Sequence, residues 1–257
     1  MKTVRIIALT IAVPLLFSCL SKRPEIPGTE TPARPLLQVL EQQRQALVSL
    51  KAIARVEVVR GGKKRAFDTV GIVFDGQRRL RMEAFGPLGQ SLLALVWDGK
   101  EVLLRLPDDD RTMRPGQAGI ERIFGMSIEA KDLCALFSGT MTELSSLSEA
   151  RAYCTRNSIC VIEMTGGDDA RRVKTIPASS GQTLRIVAQE RYRADTLLYR
   201  VRYDGVEEIS NIMVPKVVIL ESPGKSVMLT IEYDEVDVNV PVSEETFTLS
   251  DREAEGR

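Results

Sequence analysis

Between Ala54 and Leu106 apolar and polar residues alternate with a period near two, and short turns break the pattern at "GGKK", "FDGQ", "GPLG" and "WDGK". In "RRLRMEAF", Leu80, Met82 and Ala84 alternate with Arg79, Arg81 and Glu83, which predicts a strand with one apolar and one wet face. The next run, "SLLALVW", is apolar on both faces, so something must cover each of them. Upstream, from Pro35 to Lys51, the pattern is helical: Leu36, Leu40, Leu47 and Leu50 fall near one face, opposite Glu41, Gln42, Arg44 and Gln45. After "PDDDR" the strand pattern stops. Two short helices are expected, one around Ile120 to Phe124 and one from Ser127 to Phe137, with Glu129 suited to a first turn and Gly139 to an end. Ile128, Leu133, Leu136 and Phe137 would face a sheet. Strands resume near Ala152 and run to Val240, through "ICVIEM", "TLRIVAQERY", "TLLYRVRYDG", "IMVPKVVILES" and "SVMLTIEYDEVDV", with turns at "TGGDD", "YDG" and "SPGK". The expected fold is mainly β with helices (α+β): an antiparallel, incomplete barrel wrapped around a few helices.

The first residues bear on the compartment. "MKTVR" supplies two positive charges, "IIALTIAVPLLF" is too short to span a bilayer comfortably, and a Ser precedes Cys19. Leu16-Phe17-Ser18-Cys19 resembles the lipobox of bacterial lipoproteins, with Phe17 an uncommon middle residue. The resemblance implies cleavage before Cys19 and acylation of that residue. Several acyl chains hold a protein on a membrane far more firmly than one, each buried CH₂ contributing about 0.8 kcal/mol. Leu20 stands where an Asp would resemble an inner-membrane retention signal, so the outer membrane is the expected destination. The expected organisation is a signal peptide over 1–18, a lipidated, Pro-rich tether over 19–35, one domain over 36–250 and a polar tail over 251–257. The tether would reach roughly 40–50 Å if extended.

Composition narrows the chemistry. The chain has 257 residues, 44% hydrophobic and 27% charged, with 35 acidic and 35 basic side chains. Zero formal net charge gives no bulk attraction to nucleic acid. Histidine is absent, which removes Ser-His and Cys-His pairs and His-ligated metals. Asp108, Asp109 and Asp110 lack the glycine and distal glutamate of an EF-hand and read, like Asp168 and Asp169, as turn residues. Nothing in the sequence pairs Glu83 or Glu163 for acid–base work. No catalytic site, metal or cofactor is therefore expected. Cys154 and Cys160 flank the turn "TRNSI" and could be bridged or free; Cys134 has no evident partner. The clusters Lys63-Lys64-Arg65, Arg78-Arg79-Arg81 and Arg171-Arg172 read as solvated faces, or as contacts for anionic lipid heads or a partner protein.

"RRLRMEAFGPLGQSLLALVWDGKEVLL" followed by "IERIFGMSIEAKDLCALFSG" resembles the LolB family of outer-membrane lipoproteins in order, spacing and local sequence. The C-terminal "YRVRYDG…MVPKVVILESPGKSVMLTIEYDEVDVNVPVSEETFTL" resembles the wider LolA/LolB-like group, with Asn239 and Phe247 meeting its ending. Residues 145 to 194 are longer and less familiar. The resemblance implies a half-barrel whose apolar concave face shelters lipoprotein acyl chains, with Leu80, Met82, Leu93, Leu95, Leu133 and Phe137 as candidate lining. It also implies that Leu88, held by Gly86, Pro87 and Gly89, projects as a membrane-inserting tip. The implied protein is a monomer on the periplasmic face of the outer membrane, receiving lipoprotein cargo from a LolA-like carrier and passing it to outer-membrane lipid. The same residues also suit a carrier of another lipid, or a structural envelope lipoprotein without cargo.

Overall fold

The computed structural model describes residues 26–76, 78–106, 109–114, 117–142, 149–167, 169–177 and 184–249. The expected signal peptide, Cys19, Asp108, Asp168 and the polar tail lie outside the described residues, and so do the side chains of Asp109 and Asp110. Strand β1 (Thr29–Thr31) leads into helix α1 (Ala33–Ala46). A meander follows: β2 (Ser49–Arg60), β3 (Lys63–Asp75), β4 (Arg79–Phe85), β5 (Ser91–Trp97), β6 (Val102–Leu106) and β7 (Asp109–Met113). Helices α2 (Gln117–Phe124) and α3 (Ala130–Ser138) come next. The chain then returns through β8 (Glu149–Cys154), β9 (Cys160–Gly166), β10 (Asp169–Pro177), β11 (Leu184–Arg193), β12 (Thr196–Ile209), β13 (Ile212–Ser222) and β14 (Val227–Val238).

These strands form one sheet in the order β1-β8-β9-β10-β11-β12-β13-β14-β2-β3-β4-β5-β6-β7. Neighbours are antiparallel throughout, and β14 pairs with β2 to join the second meander to the first. The sheet stays open, with β1 and β7 at its edges. Alternation decides the faces: Leu50, Ala52, Ala54 and Val56 are buried on one side of β2, while Lys51, Ile53 and Arg55 are exposed on the other. One continuous apolar cluster, including Leu50, Ile72, Phe74, Leu95, Phe137 and Leu229, unites the sheet's inner face with the helices. A β-bulge shifts the β2–β3 register between Ala54↔Val70 and Val56↔Phe67. It puts Phe67 and Arg65 in line with Val70 and Ile72; without it Asp68 would face inward.

The two-faced apolar strand has its explanation in the C-terminal segment. Val96 and Leu103 pack with Phe247, Val73, Val242 and Leu249 on the outer side of the sheet. Arg79 lies 4.7 Å from the Phe247 ring centroid, and Arg81 Nη1 donates to the Thr246 carbonyl at 3.1 Å. Burying Phe247 contributes on the order of 1.5–3 kcal/mol.

Several boundaries differ from expectation. The first helix ends at Ala46, not Lys51, and Leu50 is buried from β2. The stop comes from far along the chain: the Asn239 amide donates to the Ala46 carbonyl at 2.9 Å and accepts from Val48 N–H at 2.8 Å. Thr29–Thr31, inside the expected tether, instead pairs with β8. Asp109–Met113 is a strand, not the end of the strand pattern. The third helix begins at Ala130, with Glu129 at its N-cap in place of Ser127. "YDG" lies inside β12, and the chain turns instead at Ser210-Asn211, both at positive φ. The turn at "TGGDD" does join two strands, but the nine-residue β10 that follows it was hidden in sequence by polar "DARRVK".

Candidate functional site

Helix α2 lies across the inner face of the first meander and does not fill it. Beneath it is a cavity of 260 Å³, lined by Val56, Val58 and Phe67 of β2–β3, Met82 and Leu93 of β4–β5, and Ile123 and Phe124 of α2. The pairing Ala84↔Leu93 places β4 and β5 side by side at this end of the sheet. Of the residues expected to line an apolar site, Met82 and Leu93 do so. Leu80, Leu95, Leu133 and Phe137 do not; they are fully buried in the continuous core. The reason is geometric: α3 packs directly on the sheet, and Phe137 meets Phe124 edge to face at 6.1 Å, closing the space between the helices.

The same β4–β5 hairpin ends in Gly86-Pro87-Leu88-Gly89-Gln90. Gly86 N–H donates to Gln90 O at 2.8 Å and Gly89 N–H to Gly86 O at 2.9 Å. Gly89 adopts φ +77°, the left-handed residue that closes a three-residue hairpin loop. Pro87 stiffens the approach, and Leu88 N–H donates to Gln90 Oε1 at 3.1 Å. Leu88 is 93% exposed. Nothing in the core holds it, and it is the most exposed large apolar side chain among the described residues.

A second constellation was missed from sequence. Asp132 of α3 is completely buried and accepts from Arg171 Nη1 at 3.2 Å and Nη2 at 3.1 Å, from Arg191 Nη1 at 3.3 Å and from Tyr199 O–H at 3.4 Å. Arg171 also donates to Thr142, and Arg191 to Glu129 and Asp169. Burial raises the Asp132 carboxyl above its ordinary range, against the pull of the Arg171 and Arg191 guanidiniums. Arg171, expected on a solvated face, is thus an internal tie between β10 and α3. The signal was present: Asp132 falls on the Ile128–Leu136 stripe, where an apolar residue belongs.

The remaining candidates are structural. Glu83 pairs with Arg81; burial works to raise its carboxyl, but hydrogen bonds from Ser91 and Arg81 outweigh that and hold it below the usual range. Glu163 pairs with Arg172 at 2.8 Å. Cys154 and Cys160 are joined by a disulfide across the β8–β9 turn, with Cα atoms 4.1 Å apart. Burial pushes the free Cys134 thiol far up, which suppresses the thiolate. Among the described residues no group of three or more His, Cys, Asp or Glu gathers to hold a metal, and no helix is long and apolar enough to cross a membrane.

No protein-family model and no curated protein matches the chain. Solved structures do. A DUF1329 family protein from Desulfovibrio piger is 14% identical, with TM-score 0.56 over 84% of this chain and 97% of its own. A LolA superfamily protein from Nitrosomonas europaea is 14% identical, with TM-score 0.55 over 85% and 98%. A Vibrio parahaemolyticus domain named for outer membrane lipoprotein sorting is 12% identical, with TM-score 0.60 over 81% and 94%. At these identities the likeness is one of fold and does not single out LolB from the wider group. The chain has a LolA-like fold, an incomplete antiparallel β-barrel with helices on its inner face.

Proposed function

We propose that this chain is an envelope lipoprotein that accepts the acyl chains of other lipoproteins under α2 and delivers them to the outer membrane through Leu88. The observation that carries this reading is a single hairpin with two apolar ends in different environments. Met82, Ala84 and Leu93 line the cavity, and a few residues on the same strands hold Leu88 out in water. A turn built for solvent would carry Asn, Asp or Gly there. Leucine instead gains on the order of 1.5–3 kcal/mol when it enters an apolar phase.

The cavity sets the terms for cargo. At 260 Å³ it falls just below the roughly 300–1,000 Å³ of small-molecule sites, so a full acyl chain requires α2 to swing outward. Each Å² of chain then buried against Val56, Phe67 and Met82 contributes about 25 cal/mol, less the cost of ordering the chain. The work involves no covalent step. Anchored through Cys19 on the periplasmic face of the outer membrane, the protein takes cargo from a LolA-like carrier and releases it once Leu88 is in the bilayer.

A fluorescent hydrophobic probe tests this reading. The mature chain from residue 19 carrying Cys19→Ser, which has neither the apolar signal segment nor acyl chains of its own to compete, should bind the probe and release it to a triacylated lipopeptide. The native protein in liposomes should then pass that lipopeptide to the bilayer. A cooperatively folded chain that binds neither probe nor lipopeptide excludes the acceptor role and leaves a structural envelope protein.

A further inference from the structure

The cavity changes character at its outer end. Deep inside, its walls are Val70, Met82, Ala84, Leu104 and Leu229; at the mouth they are Arg65 of β3 and Arg122 of α2. The β2–β3 bulge is what turns Arg65 inward, opposite Val58. Beyond it, Arg60 pairs with Lys63 on the same face, since both lie two residues past the Val58↔Arg65 pair. Arg60 does reach over the inner side: a Cβ built on Gly125, just after α2, would stand 3.5 Å from its Cδ. The nearby carboxylate of Glu121 is already engaged by Lys225 and by Ser127 Oγ at 3.3 Å. Lys64, by contrast, faces outward and pairs with Glu57 at 2.6 Å. No described carboxylate pairs with Arg65 or Arg122, and both are exposed to solvent. An aliphatic slot that opens between two free guanidiniums matches one kind of molecule end to end.

We propose that the preferred occupant of this cavity is an amphiphile with an anionic head, its acyl chain under α2 and its carboxylate or phosphate between Arg65 and Arg122. This rests on the acyl-binding reading above and extends it beyond lipoprotein cargo, because a lipoprotein's acylated cysteine carries no such anion. Guanidinium forks suit either oxyanion, and hydrogen bonds to a charged group are worth roughly tenfold in affinity or more.

Displacement of a neutral fluorophore from the mature chain from residue 19 carrying Cys19→Ser distinguishes the cases, with palmitate, hexadecyl phosphate and hexadecanol as competitors. Both anions should bind at least roughly tenfold more tightly than the alcohol, and the tighter of the two names the head group. The double variant Arg65→Gln, Arg122→Gln should erase that preference, bringing both anions to the affinity hexadecanol has for the same variant, and it should still fold because neither side chain is part of the core. Hexadecanol equal to the anions, or a preference that survives in the double variant, overturns the head site while leaving an apolar acyl cavity. Failure of all three to displace the fluorophore overturns the acyl-binding reading itself.

Discussion

Helices α2 and α3 lie side by side on one concave face and are held there by opposite means. Under α3 the space is filled, and polar groups do the fastening: Asp132 takes both arms of Arg171, Tyr233 O–H donates to the Phe137 carbonyl at 3.0 Å, and Gln189 to Thr140 O at 2.9 Å. Gly139 ends the helix in the left-handed conformation, so even its last turn is satisfied. Under α2 the space is partly empty, and a polar tie described for it, Glu121 to Lys225 in the β13–β14 turn, is solvent-exposed. Buried charges have to keep their partners, which fixes position; an apolar void exacts no such geometry. The fold therefore fastens one helix firmly and its neighbour lightly, which is what the proposed role of α2 as a cover requires.

Removing the firm fastening should give the largest effect. Asp132→Ala leaves Arg171 buried with only Thr142, while Arg191 keeps Glu129 and Asp169. Breaking a buried pair in this way costs about 3–5 kcal/mol, so denaturant unfolding should show a much lower midpoint. A loss below about 1 kcal/mol would mean that water already reaches the cluster and that α3 is no better fastened than α2. Native-state hydrogen exchange probes the same contrast without mutation. Amides of α3 should exchange only with global unfolding, whereas those of α2 should exchange through a smaller opening. Equal protection in the two helices would remove the basis for calling α2 a cover.

Sequence made one of these regions far more legible than the other. Turns, alternation and the exposed Leu88 are local matters, decided within a few residues by Gly, Pro and the pleat. The ion cluster joins residues 39 and 59 positions apart, and nothing near Arg171 or Arg191 announces that it faces inward. The end of α1 was misread for the same reason: Leu47 and Leu50 fit a helical stripe, and the group that stops the helix, Asn239, lies 193 residues beyond the Ala46 carbonyl it clamps. The cavity lining was half legible. Periodicity puts Leu80, Met82, Leu93 and Leu95 on one face, but only the helices above decide which of them meet a void.

Filling the void should change binding more than stability. Ala84 lines the cavity and is buried, so Ala84→Leu adds methylenes where space exists. Its effect on unfolding should stay within about 1.5 kcal/mol, in contrast to Asp132→Ala, while probe affinity falls severalfold or more. If instead the variant unfolds as readily as Asp132→Ala, the space beneath α2 is as tightly filled as that beneath α3.

The smallest effect on stability, and the most informative for delivery, belongs to Leu88→Glu. The side chain is 93% exposed, and the turn is held by backbone bonds at Gly86, Gly89 and Gln90 that the substitution leaves in place. Unfolding should shift by less than about 0.5 kcal/mol, as at ordinary surface positions. Probe binding should also be unchanged, because Leu88 does not line the cavity. Transfer to liposomes should nevertheless fail: burying a carboxylate in the bilayer costs several kcal/mol, where leucine gains. The outcome tests the two ends of one hairpin separately, the proposed holding of cargo at Met82 and Leu93 and its proposed release through residue 88. Normal transfer by a stable Leu88→Glu protein would show that release does not pass through the tip, and α2 alone would then have to govern it.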